Sequence, residues 1–332
     1  MTKRQVVQQL IGGLDTPKNE EGGAFAPSNI ALCKYWGKRD AALNVPVNSS
    51  LSVSLGHLGT HTALSRAERS DIIVLNGSDV DPQTPFGQRL QAYLDLFRPT
   101  SDFYFHINTQ NNFPTAAGLA SSASGYAALV LALDEFFGWS LDTSALSILA
   151  RLGSGSASRS VYSGFVQWHR GDRTDGMDSY AEALPQLWPE LRLAVVTVSS
   201  DTKPVSSTEG MKQTVATSTL YNAWPQKATR DIELLRSAIA HNDFDLLGKT
   251  AESNALAMHA TMIDTQPPVL YWLPETVKLF HQIWELRSRG HSFYFTIDAG
   301  PNVKILFLES EVDTITQTFP GCDVITPFTK ST

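Results

Sequence analysis

Five short segments bring polar side chains, glycines and hydroxyls together in patterns that can bind an anion or move a proton. One is "HSFYFTIDAGPNVKILFLE", in which Asp298 lies between two strand-like apolar runs and Gly300 and Pro301 form a turn. A carboxylate at this place either initiates the turn or serves as an acid or base. The segment by itself leaves both interpretations open.

The segment "PTAAGLASSAS", residues 114–124, has the composition of a phosphate-binding loop. Gly118 and the alanines let a backbone approach a ligand, and Ser121 and Ser122 supply hydroxyls at the start of a long apolar helix. Unpaired N–H groups and the helix dipole favour an anion there. The segment lacks the Lys-Ser/Thr pair of a Walker A loop. Helix capping by small residues chosen for close packing explains it equally well.

The other three segments offer cations or hydroxyls. "GSGSASRS" leads to Arg159, whose guanidinium either forms a bidentate contact with an anion or lies on the surface. "KYWGKRD" places Lys34 and Lys38 around Tyr35, which predicts an anion pocket or a solvated strand end. In "KPVSSTEG" the hydroxyls precede a helix, and capping explains them unaided. His259 is interpreted as a core or cap histidine.

The elements that must position these segments indicate an α+β fold. With 332 residues, of which 42% are hydrophobic and 18% charged, the chain can form one or two domains with a sizeable core. The sequence pattern of residues 24–112 is typical of β-strands. Beyond a boundary near 180–195 the pattern predicts mainly helices, followed by the two strands that flank Asp298. We therefore predict an extension, an N-terminal domain and a C-terminal domain, at residues 1–23, 24–190 and 191–332.

Charge and cysteine content exclude several classes of function. The formal net charge is −7 and no run of Lys or Arg is long enough to follow a nucleic acid, so no nucleic-acid partner is expected. Cys33 and Cys322 lie far apart, which argues against a structural zinc site. No secretory signal is recognised, and no apolar run is long enough to span a bilayer. The expectation is a soluble, cytoplasmic protein without a membrane partner.

Taken together and in order, these blocks resemble the mevalonate diphosphate decarboxylase family of the GHMP kinase superfamily. The matching blocks include "ALCKYWGKRD", "NNFPTAAGLASSASGYAAL", "RLGSGSASRS" and "TIDAGPNVKI", and the resemblance covers about residues 24–308. It implies an N-terminal domain like ribosomal protein S5 domain 2, a ferredoxin-like C-terminal domain and a substrate cleft between them. It also implies a reaction in which ATP phosphorylates the 3-hydroxyl of mevalonate 5-diphosphate. Phosphate and carbon dioxide then leave, and isopentenyl diphosphate forms.

The resemblance further implies roles for individual residues, ATP and Mg²⁺ as cofactors, and a homodimer. Asp298 matches the catalytic aspartate, Lys34 the lysine beside it, and Arg159 the arginine that grips the substrate carboxylate. The positions that match substrate contacts are Tyr35, Lys38, Ser154, Ser156 and Ser207, and those that match the ATP phosphate loop are Gly118, Ser121 and Ser122, with Ser121 also a candidate Mg²⁺ ligand.

Three alternatives stay open at this point. Some bacterial members carry an arginine that reaches the diphosphate where this chain has Thr208, so a phosphomevalonate decarboxylase acting on mevalonate 5-phosphate is one alternative. A GHMP kinase that phosphorylates without decarboxylation is the second. The third is a ligand sensor without catalysis, because fold alone does not fix function. The presence of Lys34, Arg159 and Asp298 together argues against the last two.

Overall fold

A computed structural model describes residues 1–113, 121–201 and 203–328 of the chain. The strands are β1 Glu21–Cys33, β2 Lys38–Asp40, β3 Val45–Pro46, β4 Ser50–Ala67, β5 Ile72–Leu75, β6 Ser78–Asp79, β7 Tyr104–Asn111, β8 Phe165–Trp168, β9 Ala181–Ala183, β10 Leu191–Val196, β11 Tyr294–Ile297, β12 Val303–Leu308 and β13 Asp323–Ile325. The α-helices are α1 Lys3–Ile11, α2 Pro85–Leu94, α3 Ser121–Phe137, α4 Thr143–Gly153, α5 Ala157–Ser160, α6 Ser207–Thr217, α7 Trp224–His241, α8 Phe244–Ile263, α9 Pro274–Ser288 and α10 Val312–Thr318.

The first sheet is built around β4, the longest strand of the part that the structure describes. β4 pairs antiparallel with β1 along most of its length, and its two ends pair with β8 and β7. Helix α3 packs on β1 and β4 through a face of alanine, leucine and phenylalanine side chains. Asp142 caps α4, because its carboxylate accepts a hydrogen bond from the N–H of Ala145 at 2.8 Å.

The second sheet has the strand order β11-β12-β10-β13, and all of its pairs are antiparallel. Helix α8 packs against β11. β11 and β12 form a hairpin in which Ile297 pairs with Val303, so Asp298 lies just beyond the last pair. The "DAGPN" segment is therefore the hairpin turn, and its carboxylate is held at the end of a buried strand.

The two sheets share one hydrophobic cluster and are also joined by directional hydrogen bonds. The carbonyl of Trp36 accepts from the Tyr221 hydroxyl at 3.1 Å and from the Trp224 indole at 3.0 Å. The Thr296 hydroxyl in β11 donates to the carbonyl of Ala31 in β1 at 3.3 Å. These contacts bring the C-terminal end of β1 beside the C-terminal end of β11.

The predicted α+β class is confirmed, and the helices α6 to α9 account for the predicted helical character of the C-terminal half. The N-terminal segment differs from a simple extension, because Val6 and Val7 of α1 are completely buried and β1 already begins at Glu21. The N-terminal segment is thus packed on the first half of the chain through these two valines. None of the described helices is long and apolar enough to cross a membrane.

Candidate active site

Asp298 forms ion pairs with two lysines at the junction of the two sheets. Its Oδ1 lies 2.8 Å from Nζ of Lys34, and its Oδ2 lies 3.2 Å from Nζ of Lys304. Both lysine side chains are 2% exposed, whereas the Asp298 side chain is 34% exposed. The carboxylate therefore keeps an open side on which a ligand can bind.

The surroundings of Asp298 favour its ionised form. Burial alone would raise the pKa of this carboxyl, but the charges and hydrogen bonds of Lys34 and Lys304 outweigh it and hold the pKa well below its usual range. Burial lowers the pKa of Lys34, and the Asp298 carboxylate opposes this effect. At neutral pH the site thus presents a carboxylate that can orient a hydroxyl group.

Both residues of the Lys34–Asp298 pair are fixed by groups from α8 and β1. The Lys34 N–H donates to Oδ1 of Asn254 at 2.8 Å, and Lys34 Nζ donates to the carbonyl of Ala31 at 2.8 Å. Nε2 of His259 lies 3.1 Å from the backbone carbonyl oxygen of Asp298. Because a carbonyl oxygen only accepts hydrogen bonds, Nε2 must carry the proton. Burial lowers the pKa of His259 to about 3, so this imidazole is neutral. The interpretation of His259 as a core histidine agrees with this geometry.

Arg159 is a buried cation without an ion pair to any described residue. Its Nε donates to Ser52 at 3.0 Å, Nη1 to Ser50 at 2.6 Å and Nη2 to Asn29 at 3.2 Å. A guanidinium has five N–H groups, so one remains on each terminal nitrogen, which is what a bidentate contact with a carboxylate requires. Burial lowers the pKa of Arg159 to about 10, and the nearby Asp298 charge opposes that shift. Arg159 remains charged at neutral pH.

Tyr35 and the Ser154–Ser156 loop lie against each other beside this cluster. A Cβ at Gly155 would come within 2.8 Å of the Tyr35 hydroxyl oxygen, so the loop approaches the ring as only glycine allows. The Ser154 and Ser156 hydroxyls are 3.3 Å apart. The Tyr35 hydroxyl is buried and has no hydrogen-bond partner among the described residues. An unpaired buried hydroxyl is costly, and a ligand oxygen here would satisfy it.

The two remaining predicted substrate residues, Lys38 and Ser207, lie at the edge of this arrangement and form no ion pair with a described residue. Nζ of Lys38 donates to Oδ1 of Asn44 at 2.7 Å. Ser206 caps α6, and Ser207 is the first helical residue, half-buried. Helix α6 packs on the Tyr35–Gly37 segment, since Gly210 lies against the Trp36 ring.

The predicted ATP phosphate loop is described only from Ser121 onward, and Gly118 lies outside the described residues. Ser121 and Ser122 are the first residues of α3, with Ser122 exposed, as the sequence predicts for a helix N-terminus that can receive phosphate. The neighbouring Ser124 has another role. Its buried hydroxyl bonds to those of Ser28 at 3.2 Å and Thr60 at 2.7 Å, so it ties α3 to β1 and β4.

The donor set suits a magnesium ion that binds through phosphates rather than a protein-built metal centre. In the part of the chain that the structure describes, no three His, Cys, Asp or Glu side chains converge on one point. Mg²⁺ keeps several waters and usually binds through one or two protein oxygens plus substrate phosphates. A hydroxyl such as that of Ser121 fits this requirement.

One lysine of the site, Lys304, was not singled out from the sequence. Lys304 lies in β12, one residue after the Val303–Ile297 pair, and the hairpin pairing is the signal that could have placed it beside Asp298. Lys203 precedes α6, and its side chain lies beside Gly300 in the hairpin turn. Lys203 begins the segment "KPVSSTEG" considered above, but its contact with the hairpin turn joins distant segments and could not be predicted from that segment alone.

Positive charge exceeds negative charge in this cluster. Three cations are nearly fully buried here: Lys34, Lys304 and Arg159. Among the described residues, Asp298 is the one carboxylate that pairs with the two lysines, and Arg159 has no ion pair. Buried cations require anionic partners, because desolvation of an unpaired charge is costly. The cluster is therefore built to receive a ligand that carries negative charge.

Comparisons with known proteins agree with this chemistry. The family described as diphosphomevalonate decarboxylase-like N-terminal domain matches residues 26–181, and the mevalonate 5-diphosphate decarboxylase C-terminal domain matches residues 193–330. The diphosphomevalonate decarboxylase of Danio rerio is 44% identical over 311 residues, which cover 86% of this chain and 75% of the relative. That of Candida albicans is 39% identical over 307 residues, covering 87% and 85%.

Solved structures match over nearly the whole chain. Mevalonate diphosphate decarboxylase from Staphylococcus aureus superposes with a TM-score of 0.87 at 37% identity, covering 94% of this chain and 97% of that one. The enzyme from Enterococcus faecalis, studied for mevalonate diphosphate mediated ATP binding, superposes with a TM-score of 0.85 at 36% identity. The match covers 92% of this chain and 96% of that one. A structure of MDDEF holds MVAPP, AMPPCP and magnesium, with a TM-score of 0.86 at 37% identity and the same coverage. These likenesses confirm the predicted GHMP kinase fold, and the chain belongs to the mevalonate 5-diphosphate decarboxylase family.

Proposed function

We propose that this chain is an ATP-dependent decarboxylase that converts (R)-mevalonate 5-diphosphate to isopentenyl diphosphate, in the mevalonate pathway of isoprenoid biosynthesis. The observation that carries the proposal is the cluster in which Lys34 and Lys304 pair with Asp298, while the buried Arg159 lies within the influence of the Asp298 charge. The reaction needs a carboxylate that can accept a hydrogen bond from the substrate hydroxyl. It also needs buried cations, beyond those that pair with this carboxylate, to bind anionic groups. Family membership supplies the substrate.

The first step is transfer of the γ-phosphoryl group of ATP to the tertiary 3-hydroxyl. A tertiary alcohol is a poor nucleophile, so a carboxylate in hydrogen-bond reach must orient it and accept its proton. Asp298 is ionised, and its exposed side is available to the hydroxyl. The bond from the hydroxyl oxygen to phosphorus forms as the bond to ADP breaks. Lys34 and Lys304 then face the developing negative charge.

The second step expels the new phosphate and the carboxylate. Loss of phosphate builds positive charge at C3, and the electrons of the bond to the carboxylate form the double bond as carbon dioxide leaves. Arg159 can hold the carboxylate with its two remaining N–H groups. Its three bonds to Ser52, Ser50 and Asn29 fix the guanidinium plane, so the departing group stays aligned.

ATP and Mg²⁺ occupy the N-terminal end of α3 in this proposal. Gly118, Ser121 and Ser122 contact the ATP phosphates, and Ser121 is the candidate protein ligand of the metal. The Ser121 hydroxyl would hold Mg²⁺, which when bound would supply positive charge to the ATP phosphates. The exposed N-terminus of a helix of 17 residues supports this placement.

The 5-diphosphate of the substrate is assigned to Tyr35, Lys38, Ser154, Ser156 and Ser207. The buried Tyr35 hydroxyl, which has no hydrogen-bond partner among the described residues, supports this assignment. Lys38 supports it as well, because it has no carboxylate partner among the described residues. Thr208 offers a hydroxyl in place of an arginine, so the terminal phosphate relies on the other groups.

An assay of substrate length tests the proposal. With mevalonate 5-diphosphate we expect ADP and carbon dioxide in equal amounts, and a kcat/KM about 10- to 100-fold above that for mevalonate 5-phosphate. That ratio corresponds to the loss of one or two charge-assisted hydrogen bonds. Mevalonate, which has no phosphate, is the control. Preference for the 5-phosphate would identify a phosphomevalonate decarboxylase, and ADP without carbon dioxide would identify a kinase.

Three further features belong to the proposal. A cytoplasmic location is supported by the need for ATP and by two free cysteines. A homodimer is supported by membership of the family, and light scattering would test it. We retain 24–190 as the ATP-binding domain and 191–332 as the C-terminal domain, with residues 1–23 packed on the former through Val6 and Val7.

A further inference from the structure

Lys304 is a second lysine on the hairpin that carries Asp298. Its Nζ lies 3.2 Å from Oδ2 of Asp298, while Lys34 holds Oδ1 at 2.8 Å. We propose that Lys304 is a positioning residue for the reaction: it fixes the second oxygen of Asp298 and keeps this carboxylate charged until the substrate hydroxyl replaces it there. The inference rests on the proposed function, because it assigns a role to Asp298.

Lys304 places a charged group at a buried position, where an apolar side chain would fill the same volume at lower cost. Its side chain is 2% exposed, and its cross-strand partners on the same face of the sheet, Thr296 of β11 and Val195 of β10, are almost fully buried. Besides Asp298, the Lys304 ammonium contacts the carbonyl of Asn302 at 3.3 Å, and no other described carboxylate pairs with it. A buried ammonium costs several kcal/mol unless it is paired, whereas an apolar side chain would pack here without that cost. The positive charge of Lys304 is therefore the property that accounts for a lysine at this position.

The charged groups that face Asp298 explain why two lysines are needed. Burial works against the ionised carboxyl, and the charges of Lys34 and Lys304 together overcome it. Lys203 and Arg159 add more distant positive charge, while His259, which contacts the Asp298 carbonyl, is neutral. No carboxylate of a described residue faces Asp298. Removal of either contacting lysine should therefore raise the pKa of Asp298.

The contacts also distinguish the two lysines. Lys34 Nζ has two short bonds, at 2.8 Å to Asp298 and 2.8 Å to Ala31. The two contacts of Lys304, at 3.2 and 3.3 Å, are longer. The Lys304 contact is thus the one that an incoming hydroxyl displaces, which makes Oδ2 the oxygen that accepts the proton. The displaced ammonium then faces the oxygens of the transferred phosphoryl group.

Carboxyl NMR of the free enzyme tests this role without substrate. Protein labelled with ¹³C at the aspartate carboxyl carbons is titrated, and Asp298→Asn assigns the signal. In Lys304→Met and Lys304→Gln the midpoint of Asp298 is expected to move upward by about one pH unit or more, since one of two close opposite charges is gone. Lys249→Met removes the same charge from an exposed pair on α8 and should leave that signal unchanged.

Kinetics provide the second measurement, on protein shown by circular dichroism to be folded. At neutral pH we expect kcat/KM for mevalonate 5-diphosphate to fall about 10- to 100-fold in Lys304→Met, with partial rescue in Lys304→Arg. Because the pKa of Asp298 starts well below its usual range, a rise of about one unit leaves the carboxylate ionised above pH 5, so the loss should be the same at pH 8 and pH 5. An unmoved Asp298 signal, kcat/KM within threefold of wild type, or failure of both uncharged variants to fold would overturn the role of Lys304. An inactive wild type would instead refute the proposed function.

Discussion

Replacement of Asp298 by Asn is expected to lower kcat by about 10³- to 10⁴-fold while ATP binding is retained. General-base catalysis contributes up to that amount, and the amide has the shape of the carboxylate but cannot accept the proton. Initial rates of ADP and carbon dioxide formation should fall together, because the lost step precedes decarboxylation. ATP affinity is measured by calorimetry on the same preparation.

Asp313→Asn is the matched control for this variant. Asp313 is an exposed residue of α10, so the substitution makes the same change of charge away from the site. Circular dichroism must show that Asp298→Asn is folded, since two buried lysines lose their carboxylate. Near-normal carbon dioxide release by a folded Asp298→Asn enzyme would exclude Asp298 as the base.

Substitution of Arg159 is expected to act on the substrate and not on ATP. In Arg159→Ala we expect kcat/KM for mevalonate 5-diphosphate to fall about 10²- to 10³-fold, with a KM for ATP within threefold of wild type. The guanidinium is buried and held by three side chains, so its loss removes both a charge and the alignment of the departing carboxylate. Steady-state kinetics with each substrate varied in turn measure the two effects.

The conservative variant Arg159→Lys separates charge from geometry. A lysine keeps the charge but cannot make the bidentate contact, so most of the loss in kcat should persist. Arg230→Ala, an exposed substitution on α7, is the control for the change of charge. A defect confined to the KM for ATP would show that Arg159 belongs to the nucleotide site instead.

The position of Asp298, the proposed catalytic base, could be predicted from sequence because its signals are local. A strand-like run, then an aspartate, then Gly300 and Pro301 predicts a carboxylate at a strand end, and the structure places Asp298 there. That Arg159 can bind an anion could be predicted for a similar reason, since a Gly/Ser loop ends in a cation with no acidic neighbour. The family resemblance then supplied the roles of both.

Other parts of the site depend on contacts between distant segments. The alternating serines of β4 suggest a solvent-facing row, yet Ser50 and Ser52 are buried and accept the hydrogen bonds of Arg159. Lys304 has the pattern of a polar residue in a half-exposed strand, but its side chain is 2% exposed and pairs with Asp298. Asn254 and His259, which fix Lys34 and Asp298, come from a helix whose face is set only by packing. Local patterns carry no information about these pairings.

The central claim is that the 3-hydroxyl is phosphorylated at the Asp298 cluster before carbon dioxide leaves. The most direct measurement uses mevalonate 5-diphosphate labelled with ¹⁸O at the 3-hydroxyl, incubated with ATP, Mg²⁺ and the enzyme. Mass spectrometry of the released phosphate should show one ¹⁸O per molecule, because the hydroxyl oxygen leaves as part of that phosphate. Unlabelled phosphate alongside isopentenyl diphosphate would mean that the hydroxyl departs without phosphorylation, and would contradict the mechanism proposed for this site.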